Sequence, residues 1–505
     1  MRRPLVTAAA ALVTVLALAS PARSTPLPAA GGHLASPKAQ AERALRAATA
    51  VLAGKAPRTD ASMALLRLRL TMHALGRADR RQAAAILARP TDQADPYGES
   101  YSVKAERRCS AHICIHWVPT TQDAPPSTTW VTKQLRMMNA VWNYEVGKLG
   151  YRPPPSDGNR GGGGAGKFDV YLKELYHQGL YGETVAERPT PDNKDLYSSY
   201  LLLDNDFKRS QYGADPMQVA RVTAAHEFFH AVQYGYDARE DPWLMESTAT
   251  WMEDQFDDSS NDNRQYLPWS QLHRPRTPLD TFSSTSFEQY GNWAFFEYLS
   301  EHYGRSIVKT VWRHAAAFGT EGHQFSAQAI HTSLKSHGGM ARVYGSYASG
   351  NTVPASTYAE GTAYPAAPPA AKATLTRASR AQTWTQRVRH LAAVDLRATP
   401  GPDLTGLQWR LRLVANAPAR ASDPSVVALV QRASGRLTQV HVHLSPTGHG
   451  RVTLPFSSAR VTQVTITLAN ASTRFRCHTG GAYSCRGTPR DAHPSFTVRL
   501  VAYRS

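Results

Sequence analysis

The stretch AAHEFFHAVQYGYDAREDPWLMESTATWMED, from Ala224 to Asp254, constrains the fold more than any other part of the chain. His226 and His230 are four residues apart, so a helix would place both imidazoles on one face, where they can bind one metal ion. Glu227 follows the first histidine, where its carboxylate can act as a general base. The alternative is a buried helix that carries two histidines without a metal, and the neighbouring sequence bears on that choice.

Two helices that begin with a proline are predicted around this motif. Asp215 and Pro216 provide an N-cap and a first-turn proline before the histidines, and Asp241 and Pro242 repeat that start after a short turn. A helical pair of histidines supplies only two ligands, whereas a catalytic zinc site usually has three. Glu246, near the start of the second helix, can lean toward the histidines as the third ligand.

Glu253 lies on the same predicted helical face as Glu246, seven residues further on. Its carboxylate can accept a hydrogen bond from the far nitrogen of a ligand histidine. The sequence therefore predicts a Zn²⁺ site made by His226, His230 and Glu246. Glu227 is the predicted base, and Glu253 supports one of the ligands.

HEFFH followed by WLMESTATWMED resembles the gluzincin group of zinc metallopeptidases, whose aminopeptidase branch carries W-L-x-E-[GS]-x-A-x-x-x-E. The matching residues are Trp243, Leu244, Glu246, Ser247, Ala249 and Glu253. With WNYEVGKLGYRPP and KFDVYL, the resemblance to secreted bacterial proteins classed as metallopeptidases covers most of residues 110–310. It implies a zincin-like fold, the same three zinc ligands and Glu227 as catalytic base.

Two departures from that family affect the expected activity. The aminopeptidase branch has a G-x-M-x-N element that binds a free amino terminus, and this chain lacks it before HEFFH. The resemblance therefore implies an endopeptidase acting on a protein or peptide substrate. The family's oxyanion-stabilising tyrosine begins Y-E-K-G-F-A-L-L-F-Y-L, and YGNWAFFEYL is similar but one residue shorter. Tyr290 is either that tyrosine or an ordinary aromatic residue at a helix start.

The amino terminus, residues 1–22, has the pattern of a secretory signal peptide. A basic start at Arg2 and Arg3 is followed by an apolar stretch and small residues up to Ala22. No later segment reaches the ~20 apolar residues of a membrane span. We therefore expect a secreted, extracellular protein that has no membrane span.

The four cysteines fit an oxidising compartment. Cys109 and Cys114 are close in sequence, and so are Cys477 and Cys485. This spacing predicts two local disulfides, one within each pair.

We expect an α+β protein with three folded parts. Residues 23–107 predict short helices, which form either a removable prosegment or a permanent subdomain. Residues 108–350 are the expected zincin-like catalytic domain, with the Pro-, Ala- and Thr-rich residues 351–374 as a linker. Alternating strand patterns in residues 375–505 predict an all-β sandwich.

A formal net charge of +18 raises the question of an acidic partner. The arginines are spread along the chain without a dense basic block, so we do not expect nucleic-acid binding. The charge either attracts an acidic cell-wall polymer or only keeps the protein soluble. Asp204, Asn205 and Asp206 are candidate ligands for Ca²⁺, although no EF-hand loop is present. The alternative to an enzyme is a cell-wall or surface-polymer binding protein whose zincin domain is degenerate and non-catalytic.

Overall fold

A five-stranded sheet with helices on both faces carries the central part of the protein. The computed structural model describes residues 36–55, 61–92, 99–164 and 166–505. The predicted signal peptide, residues 1–22, lies outside the described residues. Ser36 to Ser505 belong to one compact unit.

The helices fall into three groups along the chain. The first group is α1 (Pro37–Leu52), α2 (Ala61–Thr71) and α3 (Arg77–Ile86). The second is α4 (Thr128–Trp142), α5 (Arg209–Tyr212), α6 (Pro216–Asp237) and α7 (Pro242–Phe256). The third is α8 (Glu288–Gly291), α9 (Trp293–Tyr303), α10 (Ser306–Ala315), α11 (Ser326–Ser333) and α12 (Met340–Gly350).

The central sheet consists of β1 (Glu106–Cys109), β2 (Ile113–Trp117), β3 (Phe168–Lys173), β4 (Gly182–Thr190) and β5 (Asn193–Asp204). Their order is β1-β2-β3-β5-β4. Strands β2, β3 and β5 are parallel, and β4 is an antiparallel edge strand. This edge strand lies next to the helix that carries both histidines, because α6 packs against β4 and β5.

Alternation along the strands gives the sheet two apolar faces. Val170 and Leu201 join the large core that contains α6 and α7. Tyr171 and Tyr200, their neighbours in sequence, join a second core with α1, α2 and α3. The N-terminal helices therefore cover one face of the sheet, and the helix of the HExxH motif covers the other.

The C-terminal part is a β-sandwich. One sheet contains β6 (Ala371–Leu375), β8 (Ala392–Pro400), β10 (Pro424–Arg432), β11 (Leu437–His441) and β13 (Val461–Asn470). The other contains β7 (Ala381–Arg387), β9 (Trp409–Asn416), β12 (His449–Pro455) and β16 (Ser495–Arg504). A small hairpin, β14 (Phe475–Arg476) with β15 (Thr488–Pro489), lies beside them. Side chains from both sheets share one apolar core. The predicted α+β class, with an N-terminal helical segment and a C-terminal sandwich, is confirmed.

The predicted linker, residues 351–374, is folded and packed against the helices. Tyr358 and Tyr364 are buried. The Tyr358 ring lies 6.1 Å from that of Tyr298, and the Tyr364 ring lies 5.7 Å from that of Trp293. The end of the segment already belongs to β6 of the sandwich. A few aromatic side chains therefore anchor this connecting segment, although its composition is typical of a linker.

Two disulfides are present, Cys109–Cys114 and Cys477–Cys485. Cys109 and Cys114 are cross-strand partners in the hairpin of β1 and β2. Both predicted pairings are confirmed. Among the described residues, no helix has the length and apolar character needed to cross a membrane.

Candidate metal centre

Helix α6 carries the two histidines through the interior of the protein. It begins as predicted, because the Asp215 side chain accepts hydrogen bonds from the Met217 and Gln218 amides and Pro216 occupies the first turn. Residues 222–236 of this helix are all buried, as in a central helix that is covered on every side. His226 and His230 are accordingly both buried.

Helix α7 begins at Pro242, as the sequence predicted, but Asp241 does not cap it with its side chain. Its carboxylate instead accepts hydrogen bonds from the Ser326 hydroxyl at 2.6 Å and the Cys485 amide at 2.7 Å. The C-terminal disulfide loop is thereby joined to the start of the helix that carries Glu246.

The three predicted metal ligands meet at one point. Their ligand atoms all lie within 4.8 Å of one another. The Nε2 atoms of His226 and His230 are 3.1 Å apart. The Glu246 oxygens lie 3.4 Å from Nε2 of His226 and 3.6 Å from Nε2 of His230.

These separations suit zinc. In a tetrahedral site each ligand atom lies ~2.0–2.1 Å from the ion, so neighbouring ligand atoms are about 3.3 Å apart. The three observed separations bracket that value. Two imidazoles and one carboxylate are also a typical donor set of catalytic zinc sites, so the residues present fit this metal.

Each histidine has a partner on its other ring nitrogen. Nδ1 of His226 lies 2.6 Å from Oε1 of Glu253, the residue predicted for this role. Nδ1 of His230 lies 2.7 Å from Oε1 of Gln233, whose amide group donates in turn to the Met245 carbonyl on α7. Such contacts orient the Nε2 atoms toward a metal. The sequence reasoning missed Gln233, although its position three residues after His230 was a usable signal.

Burial and close contacts shift the ionisation of these groups. Burial alone would lower the pKa of His226, but its contacts with Glu246 and Glu253 outweigh burial and raise that pKa well above its ordinary value. Burial and the nearby His226 imidazole lower the pKa of His230 well below its ordinary value. Burial raises the pKa of Glu253 to about 7, despite its hydrogen bond with His226.

Glu227 lies in the wall of a cleft of about 210 Å³ that also exposes an edge of His226. Its Oε2 atom lies 2.8 Å from the hydroxyl of Ser62 on α2 and 2.8 Å from the hydroxyl of Thr184 on β4. The sequence reasoning missed both hydroxyl residues. Their positions in the chain carry no local signal, because the contacts arise only when α2, β4 and α6 pack together.

Tyr290 lines the same cleft, on α8. Its ring lies 6.2 Å from that of His226 and stacks on the ring of Tyr266 at 5.0 Å. Tyr266 also lines the cleft and was not predicted as a site residue. The structure therefore places the predicted tyrosine beside His226, one of the predicted metal ligands, with a second tyrosine next to it.

The three candidate calcium ligands are engaged elsewhere. Asp204 accepts hydrogen bonds from backbone amides, including that of Phe207 at 2.7 Å. The Asn205 side chain donates to two backbone carbonyls, and Asp206 pairs with Lys208 at 2.6 Å. Among the described residues, the clusters that could hold a metal ion are His226, His230 and Glu246, and the acidic group Asp254, Asp258 and Glu360. Calcium binding at residues 204–206 stays a prediction.

Comparison with known proteins gives little further information. A family of unknown function (DUF6055) matches residues 212–321, which include both histidines and Glu246. No curated protein sequence matches the chain. The crystal structure of the pre-peptidase C-terminal domain of collagenase from Bacillus anthracis is 6% identical, over 27% of this chain and 97% of that one, with a TM-score of 0.16.

Proposed function

We propose that the protein is a secreted zinc-dependent endopeptidase of the gluzincin type with a zincin-like catalytic domain. One observation carries this proposal. His226, His230 and Glu246 bring three ligand atoms to zinc-like separations, and His226 lines a cleft that Glu227 also lines. A buried helix with two incidental histidines would not need this third group, nor a carboxylate and an amide on the two far nitrogens.

The roles of the individual residues follow from their places in the cleft. His226, His230 and Glu246 would hold the zinc ion, which supplies Lewis-acid chemistry at the scissile carbonyl. Glu227 accepts a proton from the attacking water and later delivers it to the leaving amine. Tyr290, which lines the same cleft as Glu227, is the candidate to stabilise the oxyanion through its hydroxyl.

Export is supported by the two disulfides, which are typical of proteins in oxidising compartments. The substrate class is an unfolded protein or a peptide.

The basic sandwich is a candidate surface for acidic cell-wall polymer, where attraction would weaken as the salt concentration rises.

The experiment that tests this function is digestion of casein by the full-length protein, with mass spectrometry of the products. We expect cuts within the chain, loss of cleavage after chelation, and recovery when zinc is returned. Stepwise release of amino-terminal residues would instead indicate an aminopeptidase. A folded, zinc-loaded protein that cleaves no tested substrate would favour the polymer-binding alternative.

A further inference from the structure

Ser62 on the N-terminal helix α2 makes a hydrogen bond with a defined direction to Glu227. Its hydroxyl oxygen accepts the Thr184 amide hydrogen at 2.8 Å and lies 2.8 Å from Oε2 of Glu227. A serine hydroxyl has one hydrogen, which the contact with the amide does not use, and an ionised carboxylate can only accept. The hydroxyl hydrogen therefore points at the Glu227 carboxylate.

The second hydroxyl near Glu227 is shared between two acceptors. The Thr184 hydroxyl lies 2.8 Å from Oε2 of Glu227 and 2.7 Å from the Glu227 main-chain carbonyl. Its single hydrogen can serve only one of them at a time. Ser62 is therefore the donor dedicated to the carboxylate, although it lies 165 residues away in the chain. Ser62 and Thr184 are both completely buried, so neither hydroxyl is in contact with solvent.

Helix α2 is held against the sheet on the outer edge of β4. Arg69, two turns after Ser62, donates from Nε to the Ala186 carbonyl at 2.9 Å. The Thr184 amide and the Ala186 carbonyl both belong to β4, the last strand of the sheet. In the described part of the chain, helix α2 takes the place of a further strand beside them. These two hydrogen bonds to β4, one at Ser62 and one at Arg69, hold α2 and therefore Ser62 in place.

The N-terminal segment is also anchored by a buried ion cluster. Arg89, which follows α3 and is 1% exposed, lies 2.6 Å from each of Asp157, Asp169 and Glu187. Removing the arginine would leave three carboxylates without their buried cation, a strongly destabilising change. Removing the whole segment would in addition expose the apolar face of the sheet that contains Tyr171 and Tyr200.

From these contacts we infer that Ser62 is a positioning residue for Glu227, and that the N-terminal helices are a permanent part of the active site. This inference rests on the proposed peptidase function. It resolves the alternative that the sequence left open, because a removable prosegment would take with it the group that orients the base and the cation, Arg89, that Asp157, Asp169 and Glu187 share.

The test is a set of full-length variants assayed on casein, with zinc content and melting temperature measured for each. Ser62→Ala is expected to lower kcat by about 10- to 100-fold, the scale of one hydrogen bond to a charged group. KM and zinc content should stay unchanged. Ser62→Thr, which keeps the hydroxyl, should recover most of the rate, and Ser62→Cys covers the case that the added methyl group does not fit. Ser349→Ala, a buried hydroxyl on α12, is the matched control and should retain full activity.

A double variant separates positioning from simple destabilisation. If Ser62 acts through the carboxylate, Ser62→Ala should not reduce further the residual rate of Glu227→Gln, whereas general damage would reduce both backgrounds alike. Full activity of Ser62→Ala, or a natural active form that lacks residues 36–92, would overturn the inference. The single variant Glu227→Gln reports separately on the proposed function, so failure of the inference can be distinguished from failure of that function.

Discussion

Changing Glu227 to glutamine is expected to lower kcat by about 10²-fold or more while zinc stays bound, because general-base catalysis is lost and the metal ligands are untouched. Glutamine has nearly the same shape and can still accept a hydrogen bond from Ser62. The fold around the site should therefore be preserved. Steady-state cleavage of casein, with metal analysis of the same sample, measures both quantities.

Glu145 provides the matched control for that variant. It is completely buried, and burial raises its pKa well above its ordinary value although the nearby His226 lowers it, so the neutral acid, which glutamine resembles in shape, is favoured. Glu145→Gln should keep nearly full activity. If Glu227→Gln were as active as this control, Glu227 would not be the base.

Changing Glu246 to alanine is expected to weaken zinc binding by more than ~100-fold. Loss of a residue that only hydrogen-bonds to a ligand typically costs ~10–100-fold in metal affinity, and Glu246 is itself a proposed ligand. Two histidines alone make a poor zinc site, and the carboxylate supplies the negative charge that partly neutralises the ion. Activity should fall with zinc occupancy. Titration with zinc against a competing chelator gives the affinity directly.

Thermal unfolding offers an independent check on Glu246. Zinc at about 100 times its dissociation constant stabilises the native state by about 2.7 kcal/mol when it binds only that state. The wild-type melting temperature should therefore rise with zinc, and that of Glu246→Ala should rise little at the same concentration. Glu253→Gln, which keeps all three ligands, should lie between them. An equal zinc response in Glu246→Ala and wild type would assign the third ligand to another residue.

The parts of the site that could be predicted from the sequence lie on two neighbouring helices. Two local patterns made this possible, the spacing of His226 and His230 and the proline at the start of α7. Helical geometry then determines which side chains lie on the same face. Glu253 was found in the same way. These residues meet in space because α6 and α7 are joined by a short turn.

The parts that could not be predicted depend on contacts between distant segments. Ser62 reaches Glu227 only because α2 covers the edge of β4, and nothing in the sequence around Ser62 indicates that packing. The Asp241 carboxylate was expected to cap α7, but the distant Ser326 hydroxyl and Cys485 amide compete for it. In both cases tertiary contacts determine the role of a side chain whose local sequence suggests either nothing or a different role.

X-ray absorption spectroscopy at the zinc edge of the purified full-length protein tests the central claim most directly. We expect one zinc per chain, nitrogen and oxygen ligands at ~2.0–2.2 Å, and outer-shell scattering from two imidazoles. A protein that retains no zinc, or a zinc with sulfur ligands or a different number of histidines, would contradict the site formed by His226, His230 and Glu246.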